Sequence, residues 1–132
     1  MTRIKETSTI QENKKQAFQE CPITFVMERI GGYWKPVILF HLLTGEKRYG
    51  EIRKALPNIT EKLLSSQLKQ LEEDGLVTKE VFRAVPPRVT YRLTGQGAAL
   101  QPVLYAMAVW AVDNGFNGGR KLEGFPGVRS EP

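Results

Sequence analysis

The order of residue periodicities predicts a mainly α chain with one small antiparallel β-hairpin, an α+β arrangement. Three observations carry this. Leu64, Leu68 and Leu71 recur at the i, i+4, i+7 spacing of a single helical stripe. Just upstream, Tyr49, Ile52 and Leu56 give a shorter helix, and Pro57-Asn58 breaks it before Thr60 restarts helix. After Gly75 the pattern changes from helical to alternating. Leu76–Arg83 and Arg88–Leu93 are strand-like runs rich in β-branched and aromatic residues.

The elements follow in chain order. Residues 1–20 form a polar leader in which Ile10, Ala17 and Phe18 allow a partly helical second half. Cys21-Pro22-Ile23 starts a helix that ends near Ile30, because Gly31-Gly32 interrupts the pattern. A second helix carries Trp34, Val37, Ile38, Phe40, Leu42 and Leu43 toward the core and runs up to Gly45, with Pro36 suiting its first turn. The helices on either side of Pro57-Asn58 cross steeply across a three-residue gap, as in a helix-turn-helix. Asn58 is expected at a positive φ in that turn. Thr60 caps the second helix of the pair, and Gly75 ends it in the left-handed conformation.

That second helix has an outer face of Thr60, Lys62, Ser66, Lys69 and Gln70, with Ser65 on its edge. The face is basic and rich in hydrogen-bond donors. Its short side chains suit entry into a DNA major groove, where base edges and phosphates lie in reach. Ala84-Val85-Pro86-Pro87 cannot continue a central ladder, so it marks the hairpin tip. Lys79, Arg83, Arg88 and Arg92 make the hairpin basic, and Pro87 and Arg88 stand where a narrow minor groove would be met. Helix, turn, helix and basic hairpin, in that order, is the winged helix-turn-helix. Lys35, near the start of the second helix, and Arg48, at the start of the third, are further candidates for phosphate contact.

Thr94-Gly95-Gln96-Gly97 opens a last helix that is expected to run to about Asn114, with Thr94 as cap. Pro102 kinks it unless it lies near the start. Its apolar positions, among them Leu100, Val103, Leu104, Met107 and Trp110, exceed what one face of a small domain needs. Together with Ile23 they are the candidate dimer interface. A two-fold dimer would present two recognition helices to successive major grooves about 34 Å apart. Residues 115–132 contain five glycines and two prolines and are expected to form a tail of little regular structure, with Phe116, Leu122 and Phe125 as candidates to pack on the surface.

The ordered motifs resemble the HxlR-type winged helix-turn-helix regulators of bacteria. The resemblance covers roughly Cys21 to Asn114. It rests on Cys21-Pro22-Ile23, on Ile30 to Lys35 with Ile38-Leu39, on Tyr49-Gly50-Glu51-Ile52 and on Ile59 to Leu64. It continues through Leu68 to Val77 and the wing residues Val85 to Tyr91, followed by Leu93-Thr94. Tyr49 stands where Phe is usual and Phe82 where Tyr is more frequent. The leader and tail are unusually long. The resemblance implies a dimeric, sequence-specific regulator that binds a pseudo-palindromic double-stranded operator, with a domain over residues 21–114.

Cys21 precedes Pro22 and so lies at a helix N-cap or first turn, where backbone amides stabilise a thiolate. The resemblance implies a sensing role for it toward oxidants or small electrophiles. A buried structural cysteine is the alternative.

Charge and composition bound the remaining possibilities. The 132 residues support one domain with a modest core, at a net charge of +5. Thr44–Leu93 holds ten Lys or Arg against seven Asp or Glu, a surplus of three that is greatest in the proposed reading region. No segment has the length and apolarity of a membrane span or a signal peptide. One cysteine makes no internal disulfide, which fits a cytoplasmic protein. One His and one Cys, without clustered carboxylates, do not make a zinc site, and His41 lies in an apolar helical run. Neither a metal nor an organic cofactor is expected. A winged-helix module that binds protein instead of DNA is the main alternative. An enzyme using Cys21 as nucleophile is a more distant one, since no base is placed beside it.

Overall fold

In a computed structural model, residues 20–117 are described. The expectations for the leader before Glu20, and for Leu122 and Phe125, lie outside them. The chain divides into two compact units between Gly32 and Tyr33. In the first, α1 (Pro22–Ile30) begins with Pro22 in its first turn and Cys21 as N-cap. Arg29 folds back along this helix. Its guanidinium lies 3.4 Å from the centre of the Phe25 ring and donates to the Phe25 carbonyl at 2.9 Å. Ile30 is buried, whereas Ile23, Phe25 and Met27 are exposed.

The second unit is the winged helix. Its elements are α2 (Trp34–Leu42), β1 (Lys47–Arg48), α3 (Tyr49–Ala55), α4 (Glu61–Glu73), β2 (Val77–Phe82), β3 (Arg88–Leu93), the single turn α5 (Gly95–Ala98) and α6 (Gln101–Asp113). The sheet is antiparallel with β3 in the centre, between β1 and β2. Val77 pairs with Leu93 and Phe82 with Arg88, which fixes the hairpin register. Lys47 and Arg48 pair with Tyr91 and Thr90. The strand β1 has two residues and no periodicity of its own, so the sequence pattern did not show it.

The core forms where α2 packs on α4, β3 and α6, and where α4 packs on β2. Ile38, Leu39, Leu64, Leu68 and Leu71 have almost no solvent exposure. Each such side chain contributes about 1.5–3 kcal/mol of burial. The stripe inferred for α4 is therefore the buried one. On α2 the buried face is Lys35, Ile38, Leu39 and Leu42, which departs from the expected set of Trp34, Val37, Ile38, Phe40, Leu42 and Leu43. This helix is apolar nearly all round, so periodicity alone does not select its inner face.

Two turns differ from expectation. Asn58 keeps a negative φ, because no residue other than glycine has a positive one among the described residues. The turn is closed by the Ile59 amide donating to the Leu56 carbonyl at 3.1 Å, and both side chains are buried. Pro57 occupies the turn position where its fixed φ is favoured, and Asn58 then needs no left-handed conformation. The last helix is also not continuous. α5 ends at Ala98, and α6 restarts at Gln101 with Pro102 in its first turn, where a missing amide costs nothing.

Candidate nucleic-acid interface

α4 begins at Thr60, whose hydroxyl accepts from the Leu63 amide at 3.1 Å. This is the expected N-cap, and it closes one of the open donors of the first turn. The helix ends at Gly75, whose φ of 76° no β-carbon tolerates cheaply. Between these stops the two faces separate, with Leu63 exposed at their border. Leu64, Leu68 and Leu71 are buried, while Thr60, Lys62, Ser65, Ser66, Lys69 and Gln70 are all exposed.

The exposed face is partly ordered by its own contacts. The Gln70 amide donates to the Ser66 hydroxyl at 3.4 Å. The Tyr49 hydroxyl, from the start of α3, lies 3.3 Å from the Glu61 carbonyl and 3.2 Å from the Ser65 hydroxyl. Arg53 of α3 pairs with Glu61 at 2.6 Å. These contacts join the two helices of the helix-turn-helix at the N-terminal end of α4. Tyr49 is a residue that sequence reasoning placed only in a hydrophobic stripe. Nothing in the spacing of residues 49 and 65 signals that their side chains meet.

The wing brings Arg88 to the first position of β3, across the ladder from Phe82. The Arg88 guanidinium lies 4.4 Å from the centre of the Phe82 ring, an aromatic stack that limits where the cation can point. Pro87 and Arg88 are exposed, and Val85 at the tip is completely so. Arg48 is exposed at the junction of β1 and α3, where its amide donates to the Glu51 carboxylate at 2.8 Å.

Lys35 does not belong with this set. It is only 9% exposed and shares the i, i+3, i+4, i+7 stripe of Ile38, Leu39 and Leu42. Its place near the positive end of a helix suggested phosphate contact, but its angular position puts it on the inner face. Leu104 is a similar correction to the dimer set. It is 3% exposed and belongs to the core of its own chain. Leu100 is half-buried at the start of α6, while Val103, Met107 and Trp110 are exposed.

Cys21 is partly exposed. Its thiol makes no side-chain cap hydrogen bond, but the polar groups of the first turn, the Thr24 amide first and then the Ile23 amide and the Thr24 hydroxyl, favour the thiolate and hold its pKa below the usual cysteine range. His41 is half-buried, and burial, followed by the charge of Lys47, lowers its affinity for a proton. Among the described residues no cluster of His, Cys, Asp and Glu is arranged to hold a metal ion. Among them, too, no helix is long and apolar enough to cross a membrane.

With a capped, polar-faced α4 beside a basic wing in place, comparison with known proteins decides the family. The sequence profile described as HxlR-like helix-turn-helix matches residues 29–117. The chain belongs to the HxlR-like helix-turn-helix family. The HTH-type transcriptional regulator YybR of Bacillus subtilis (strain 168) is 40% identical over 111 residues, which cover 84% of this chain and 86% of that protein. Among solved structures, the redox regulator HypR in its oxidised form aligns with a TM-score of 0.70 and 41% identity. That alignment covers 74% of this chain and 100% of HypR. The reduced form of HypR aligns with a TM-score of 0.69 and 41% identity, over 71% of this chain and 93% of HypR. The winged helix-turn-helix inferred from the periodicities is thus the fold of this HxlR-like chain.

Proposed function

We propose that this member of a family of DNA-binding transcriptional regulators acts as a homodimer on a pseudo-palindromic operator, each protomer reading one half-site. Thr60, Lys62, Ser65, Ser66, Lys69 and Gln70 of α4 face the major groove. Arg48 holds the backbone, and Pro87 and Arg88 meet the adjacent minor groove. The single observation that carries the reading is the separation of α4 into a buried leucine stripe and a wholly exposed polar, basic face. The apolar residues Val103, Met107 and Trp110, exposed on α6, support a second copy as partner. A winged-helix module that binds only protein has no need of this cationic helix face beside a basic wing.

In the same reading Cys21 is the thiol through which an oxidant or electrophile adjusts operator affinity. Its depressed pKa raises the reactive thiolate fraction at neutral pH. The likeness to HypR, a redox regulator solved in oxidised and reduced forms, supports that role. The work is done in the cytoplasm, without a cofactor.

A gel-shift salt series on specific and random duplexes tests the reading. Lys69→Ala weakens binding to both duplexes and lowers the salt slope by about one, as expected for one lost phosphate contact. Ser66→Ala changes the ratio between the two duplexes more than the general affinity. Identical behaviour of the two variants refutes the assignment of this face.

A further inference from the structure

The strand β1 is only two residues long. It covers β3 at Tyr91 and Thr90 and then turns into α3 at Tyr49. Past Thr90, no described strand lies on that side of β3 as it runs back to the wing tip. The gap between the wing and the start of α3 is a solvent-open cavity of about 610 Å³, walled mostly by exposed residues. That volume is in the range of small-molecule sites.

The wall chemistry is asymmetric. Arg48, Lys79 and Arg88 line the cavity, and no Asp or Glu does. Among the described residues, the ion pair found joins Arg53 to Glu61, so none of these three cations is within ion-pair distance of a described carboxylate. The rest of the lining is apolar or aromatic, with Pro86, Tyr49 and Tyr91 among it. Burial, then the charges of Glu72 and Tyr49, push the Tyr91 phenol up.

We propose that the cavity between the wing and the start of α3 binds a small organic anion, an aromatic carboxylate, and that its occupancy opposes duplex binding. A phosphate of the duplex is the other anion these cations could meet. Phosphate contact needs only exposed, flexible cations, however. A concave site with proline and tyrosine walls instead matches a flat apolar body carrying one charge. The opposition follows from shared residues and rests on the operator-binding reading above. Arg88, once engaged by the carboxylate, is withdrawn from the minor groove. Tyr49, part of the wall, is the residue whose hydroxyl meets Ser65 on the reading face. Linkage requires that an anion which weakens the operator complex is itself bound more weakly in that complex.

The test is calorimetric titration of the full chain with benzoate in the absence of DNA, with benzamide as its uncharged counterpart and inorganic phosphate as a charge control. Benzoate is expected to bind saturably, and benzamide and phosphate each at least about tenfold more weakly. Lys79→Gln lowers benzoate affinity by about tenfold, the loss of one charge-assisted contact. Lys54→Gln, on α3 outside this cavity, leaves benzoate affinity unchanged. Equal binding of benzoate and phosphate, or equal effects of the two lysine variants, overturns the site and assigns its cations to the duplex backbone. Adding benzoate to the operator complex raises the apparent Kd, and an unchanged Kd overturns the antagonism. Because the titration contains no DNA, failure of the cavity is read separately from failure of operator binding.

Discussion

Removing the Thr94 hydroxyl should loosen the base of the wing. This side chain makes two bonds at once. It donates to the Gly75 carbonyl at 2.6 Å and accepts from the Gly97 amide at 3.0 Å. The first bond holds the end of α4, and the second caps α5. Thr94→Ala removes the cap, which is worth about 1 kcal/mol. It also leaves a part-buried carbonyl without its partner, for about another 1 kcal/mol. The two losses are local to one oxygen, so they fall together to about 2 kcal/mol. With a urea m-value of about 1–3 kcal/mol/M, the unfolding midpoint drops by about 1 M. The assay is urea denaturation followed by circular dichroism, at one fixed protein concentration because any self-association adds to apparent stability. Thr94→Ser keeps the oxygen and is expected to remain near wild type. If Thr94→Ala and Thr94→Ser unfold at the same midpoint, the oxygen is not what joins α4 to α5, and the reasoning fails.

The depressed Cys21 pKa predicts iodoacetamide alkylation whose rate rises at a lower pH in the folded chain than in the same chain unfolded in urea; coincident profiles would contradict it. The sign for stability follows from the same shift. The thiolate favours the folded state, so this contribution is present above the unfolded pKa and is lost as pH falls through the folded one. In the redox reading, diamide or methylglyoxal changes operator binding of wild type but not of Cys21→Ser, and an equal response of both removes Cys21 as the switch. Trp110 is 68% exposed on α6. As a dimer anchor, its change to Asp should cost about 2 kcal/mol or more, raising the dimer Kd at least about thirtyfold. Sedimentation at micromolar concentration checks this, and a wild-type chain that is already monomeric there refutes the dimer.

Most of the fold was legible because its signals are local. The stripe of Leu64, Leu68 and Leu71, the Thr60 cap and the Gly75 stop each depend on residues within one helix, and the structure places all of them as read. The hairpin likewise follows from alternation and two prolines. What escaped depends on residues distant in sequence. β1 exists because Lys47 and Arg48 pair with a strand more than forty positions later. The Tyr49 to Ser65 contact has the same origin. Lys35 was misplaced for a different reason. Its helix is apolar on nearly every side, so the pattern fixes the distance of Lys35 from the N-terminus but not its angle around the axis. The break between α5 and α6 was foreshadowed by Pro102, but a pattern apolar throughout hid where the chain restarts.

The hairpin is secured at one end only. Thr94 and Leu76 are joined at its root by the Thr94 amide donating to the Leu76 carbonyl at 3.1 Å, and a β-carbon on Gly97 would collide with that same carbonyl. Ala84 to Pro87, at the far end, are exposed, Val85 completely so. A beam anchored in this way separates two kinds of mutation. Changes at the root disturb the architecture, whereas changes at the outer loop alter only what the loop touches. New binding preferences can therefore be written into four residues while the foundation stays as it is.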